Sequence, residues 1–127
     1  MTTPFLCLLI VMLIPFLLAG VGGFFRAKLG TFDNRNPRAQ AAQLTGTGAR
    51  AYAAQQNAWE ALALFTPAVL AAHVLSADPK MAANLAIAFV VLRVAHAAFY
   101  LANLATLRSL SFMGAMVCTV WLFVLGT

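Results

Sequence analysis

Four apolar runs organise the chain, and the polar stretches between them mark its turns. The first run, Phe5 to Phe25, is broken only by Pro15 and a late group of glycines, Gly20, Gly22 and Gly23. The second starts in an alanine-rich but polar segment, Tyr52 to Glu60, and stays helical in pattern to about Ser76, with Pro67 in its apolar half. The third runs from Met81 to about Ala105 and the fourth from Leu110 to Leu125. About 20 apolar residues of helix cross a bilayer. The pattern therefore predicts four spanning helices, at about 5–27, 49–76, 81–106 and 109–126, forming one all-α membrane domain over residues 1–127. The architecture expected is an up-down four-transmembrane-helix bundle. Arg26 to Arg50 is the one long polar stretch, rich in turn signals such as Gly30, Asp33-Asn34 and Asn36-Pro37. Asp78-Pro79-Lys80 and Arg108-Ser109 mark the two shorter turns.

Composition narrows the class. Of the 127 residues, 63% are hydrophobic and 9% charged, against about 25% charged in soluble domains. Too few charges remain to coat a soluble enzyme. The net charge of +5 reads as cytoplasmic loop charge rather than a nucleic-acid surface, so no nucleic-acid partner is expected. Arg26, Lys28, Arg35, Arg38 and Arg50 fall in the first loop and Arg108 in the third, while the second balances Lys80 against Asp78. Loops one and three are thus expected in the cytoplasm, with both termini opposite, in a multi-pass protein of a bacterial inner membrane. Cys7 and Cys118 lie inside apolar runs and read as small hydrophobes. No metal-ligand cluster is visible.

The polar residues inside the runs carry the candidate chemistry. A charged side chain at a bilayer centre costs roughly 2.5–3.5 kcal/mol on insertion scales, so Glu60 and Arg93 need partners. The second and third helices are antiparallel neighbours. At about 1.5 Å rise per residue, Glu60 and His96 lie at one depth, with Arg93 slightly deeper and Asn57 and Tyr100 slightly shallower. Arg93, His96, Tyr100 and Asn103 share one helical stripe; Arg50, Asn57 and Glu60 share another. A Glu60–Arg93 ion pair that merely fixes packing explains two of these residues. A polar cavity opening to the cytoplasm explains the whole set, Gln55 included. Its cationic surroundings suit an anionic, hydrogen-bonding guest. Arg108 at the rim would favour a thiolate or carboxylate, since a nearby positive charge lowers an acid's pKa. No protein nucleophile stands out, so any nucleophile would arrive with a bound cofactor. His73 reads as an interfacial or packing histidine.

Two segments resemble a known family. Gln55-x-Asn57-x-x-Glu60 with Phe65-x-Pro67, and Arg93-Val94-Ala95-His96-x-x-x-Tyr100-Leu101 followed by Arg108-Ser109, are similar to signatures of the MAPEG family, membrane-associated proteins in eicosanoid and glutathione metabolism. The second segment is closest to its prostaglandin E synthase and glutathione transferase branches. The resemblance implies a homotrimer of four-helix subunits with glutathione bound between adjacent subunits. It implies that Arg26, Arg50, Gln55, Asn57, Glu60, Arg93, His96 and Tyr100 line the glutathione site, and that Arg108 stabilises the thiolate. It further implies transfer of glutathione to a lipophilic small molecule, or reduction of a lipid hydroperoxide, within the membrane lipid. The family pattern has Arg where this chain has Ala53. That departure keeps a second class open: a non-catalytic relative that binds a lipid or a protein partner.

Overall fold

A computed structural model describes residues 1–127 as five helices without strands: α1 (Thr3–Ala27), α2 (Pro37–Ala41), α3 (Gly46–Val74), α4 (Pro79–Leu101) and α5 (Ala105–Val124). Local chemistry accounts for the boundaries. Pro4, Pro37 and Pro79 each lie in the first turn of a helix, where the missing N–H has no intrahelical partner to lose. Asp78 caps α4 by accepting from the Met81 backbone N–H at 2.7 Å. Gly46, at φ +58°, opens α3 in the left-handed region. Two residues later Gly48 lets α3 pack against the end of α1, because a Cβ there would stand 2.8 Å from the Phe25 Cβ.

The third long helix ends at Leu101 rather than near 106. Asn103 takes φ +61°, a left-handed conformation that asparagine accepts more readily than most residues. The chain turns there, so Asn103 belongs to the turn and not to the polar stripe. Arg108 moves correspondingly from the expected turn into the first turn of α5. The short α2 was absent from the sequence expectation; five residues carry too little periodicity to reveal it.

The four long helices pack on one another around Phe65 of α3 and Phe89 of α4, whose rings stack at 3.9 Å between centroids. Around that pair alanine is the commonest core residue, and Ala68 and Ala86 are fully buried. Small side chains let apolar helices approach closely where lipid supplies no hydrophobic drive. Large apolar side chains such as Phe16, Leu17, Val91 and Val117 point outward.

Three helices, α1, α4 and α5, are long and apolar enough to cross a membrane. The sequence expectation was four. Helix α3 has the length, 29 residues, but its first half carries Arg50, Gln55, Gln56, Asn57 and Glu60.

Candidate functional site

Arg93 is the central group. It sits on α4 with only 2% of its surface exposed, and its Nη2 donates to Oδ1 of Asn57 on α3 at 2.8 Å. Asn57 in turn donates from Nδ2 to Oε2 of Glu60, a long contact of 3.4 Å. The expected direct ion pair is therefore replaced by a relay. Asn57 stands between acid and base, and Glu60 faces outward, exposed, on α3. The reason is angular: three residues fall about 60° short of a full turn, so Asn57 sits round the helix from Glu60, on the α4-facing side. Its amide offers both an acceptor and a donor.

Next to this relay is a cleft of about 240 Å³ lined by Asn57, His96, Tyr100, Arg108, Ser109, Phe112 and Met113. His96 is 3% exposed, and its buried Nδ1 has no hydrogen-bond partner. Its ring meets Tyr100 edge-on at 5.6 Å. The Arg108 guanidinium lies over the Tyr100 ring, 4.7 Å from its centroid, an attraction between cation and ring quadrupole. Phe112 also borders a smaller, mostly apolar cavity of about 80 Å³ that includes Glu60, Arg93 and Met116. Asn57, Glu60, Arg93, His96, Tyr100 and Arg108 are thus gathered in two adjoining cavities. Ser109, Phe112 and Met113 were not foreseen: Ser109 reads as turn, and Phe112 and Met113 are apolar residues of an apolar run, with no signal that sets them apart.

Three expected residues lie elsewhere. Arg50 donates from Nε to the Leu101 carbonyl at 3.3 Å and from Nη2 to Thr47 Oγ1 at 2.9 Å. It thereby satisfies one of the orphan carbonyls at the C-terminus of α4. Arg26 and Gln55 line a different pocket, of about 110 Å³, between α1, α2 and α3, together with Arg38 and Tyr52. Gln55 and Asn57 are two residues apart, so on a helix they project to nearly opposite sides.

Arg26 is held by a residue that no motif announced. Gln40, on α2 and buried, accepts at Oε1 from Arg26 Nε and from the Asp33 backbone N–H, both at 3.0 Å, and donates from Nε2 to the Thr31 carbonyl at 2.6 Å. Arg26 Nη2 also donates to the Asp33 carbonyl at 2.8 Å, and its guanidinium stacks on Phe32. The Asp33 side chain accepts from the backbone N–H of Arg35 and Asn36. Those two amides hold its carboxyl below the ordinary range. The first loop is an ordered, hydrogen-bonded unit.

A family model described as the MAPEG family matches residues 3–127. The chain belongs to the MAPEG family. As a MAPEG protein with three helices apolar enough to span, it is an integral membrane protein. No curated protein and no solved structure matches it individually.

Proposed function

We propose that this MAPEG protein is a glutathione-dependent membrane enzyme that acts on lipophilic electrophiles or lipid hydroperoxides. The observation that carries the reading is the cleft itself: Asn57, fixed by the buried Arg93 of the adjoining apolar cavity, His96 with its unpartnered Nδ1, and the Arg108 cation line one polar opening. This donor set fits a small anionic peptide bearing a thiol. Asn57, Glu60, Arg93, His96 and Tyr100 would hold its backbone and charged ends. Glutathione, when bound, supplies a nucleophilic sulfur. Arg108 favours the ionised form of an acid placed beside it, and the N-terminus of α5 adds partial positive charge in the same turn. Tyr100 holds the Arg108 guanidinium over its ring. The apolar cavity beyond Phe112 gives a lipophilic partner a place next to the thiol.

The proposal includes a homotrimer of four-helix subunits. Small-molecule sites commonly measure about 300–1,000 Å³, and the cleft of one chain is smaller. Gln56 and Glu60 are exposed on the outer face of α3, roughly 15–21 Å along the helix from its start. A carboxylate facing lipid at that depth is costly; a second copy covering α3 removes the cost. The Arg26–Gln55 pocket, on another face of the subunit, is then available to complete a neighbour's cleft.

Ala53 favours the second reading, a non-catalytic lipid- or partner-binding protein. Turnover separates the two. Purified protein in mild detergent should convert glutathione and an aryl halide to the thioether and halide ion, or two glutathiones and a lipid hydroperoxide to the alcohol, water and glutathione disulfide. Binding of glutathione without product would support the non-catalytic reading.

A further inference from the structure

The largest cavity lies at the opposite end of the helices from the cleft, and the proposed function makes no use of it. Its volume is about 590 Å³, within the usual span of ligand sites, about 300–1,000 Å³. The start of α1, the end of α3 and the start of α4 enclose it. Its floor is apolar: Val69, Ala72 and Ala82 are buried and belong to the main core. Its mouth is polar, with Thr2, Thr3, His73 and Ser76. Phe5 meets the His73 ring edge-on at 5.1 Å.

Charge and depth narrow the occupant. No Lys, Arg, Asp or Glu side chain lines the cavity. Asp78, near its rim, already accepts from the Met81 backbone N–H in capping α4. The one charge at its mouth, the Met1 α-amino group, belongs to a residue 91% exposed and stays screened by water. A charged head seated on the floor would lose water and meet no buried opposite charge, which is unfavourable. Hydroxyls and an imidazole instead match neutral oxygens that accept hydrogen bonds. Val69 lies five residues before the end of α3, so the floor is roughly 8 Å below the mouth. That depth admits a head and not a long chain. Met1, Thr2, Thr3 and Ser76 of its lining are exposed, so the mouth is open and a tail can leave through it into the bilayer.

We propose that this cavity binds the uncharged head of a membrane lipid, one bearing acceptor oxygens such as a glycerol ester or quinone carbonyls. The alanines of its wall make the room, and His73 with the neighbouring hydroxyls provides the donors. This site is independent of the glutathione cleft.

Photolabelling in phosphatidylcholine nanodiscs tests it, using a monoacylglycerol with a diazirine close to its head. Label should concentrate on residues 1–5 and 69–77. Unlabelled monoacylglycerol or a short-tailed quinone should compete, and whichever competes better identifies the head. A fatty acid and phosphatidylglycerol should compete poorly. Ala83→Leu should reduce labelling about tenfold by overfilling the site. His73→Phe, a change at an exposed position, should reduce it by removing a donor. Circular dichroism and gel-filtration elution of both variants should match the parent, which separates loss of this site from loss of fold. Label spread along the outer apolar faces and indifferent to both substitutions would overturn the proposal. So would equal competition by the charged lipids.

Discussion

Arg93 of α4 and Asn57 of α3 are joined at 2.8 Å, and through Asn57 the buried guanidinium reaches the outward-facing Glu60. One neutral amide couples the two central helices of the cleft. Hydrogen bonds to charged groups contribute about 1.5–3 kcal/mol, and an orphaned buried partner costs more than a pair removed together. Asn57→Ala should therefore destabilise the protein by about 2 kcal/mol. Denaturant unfolding in detergent measures it. Asn57→Ala combined with Arg93→Met should be less destabilised than the sum of the single changes.

Gln40 organises the first loop. Gln40→Ala strips partners from Arg26, Asp33 and Thr31 at once. Trypsin should then cut at Arg35 and Arg38 much faster than in the parent, while the helices keep their circular dichroism. Unchanged cleavage would mean that the loop is held by other contacts.

Asp33 makes the order of that loop pH-dependent. Its folded carboxyl is held below the ordinary value of 3.8 by the Asn36 and Arg35 amides. A depressed folded pKa contributes stability that is complete above the unfolded value and is lost as pH falls through the folded one. Hydrogen exchange at the Arg35 and Asn36 amides should stay slow down to the ordinary carboxylate range and accelerate below it, once intrinsic rates are divided out. Asp33→Asn should flatten that profile.

Asn103 sets the end of α4. Asn103→Gly should leave stability nearly unchanged, because glycine reaches φ +61° freely. Asn103→Val should cost about 1–2 kcal/mol, and unfolding midpoints distinguish the two. This turn also shows how far the sequence could be read. The long helices were legible because apolar runs and helix-opening prolines are local signals. The meeting of Asn57 with the Arg93 stripe was legible because helical period and depth are arithmetic. The position of Asn103 was not, since an asparagine fits a stripe and a turn equally well. Nor was the separation of Arg26, Arg50 and Gln55 from the cleft: a shared motif does not say which neighbouring helix a side chain meets. Gln40 had no signal, because its role depends on a loop closing around it.

Thr45, exposed where α3 begins, reports topology. The clustering of Arg and Lys in the first loop predicts a cytoplasmic position for it. Thr45→Cys, in a background without Cys7 and Cys118, should resist an impermeant maleimide in intact cells and react after lysis. Ready labelling in intact cells would reverse the orientation.

The central claim is that the Arg93–Asn57 cleft and Arg108 form a glutathione site, and a calorimetric titration of glutathione tests it most directly. The parent protein should bind at or below millimolar concentration. Arg108→Ala should weaken binding by about tenfold or more, the equivalent of about 1.4 kcal/mol, while the unfolding midpoint stays close to that of the parent. No heat of binding at millimolar glutathione, or equal binding by the parent and Arg108→Ala, would contradict it.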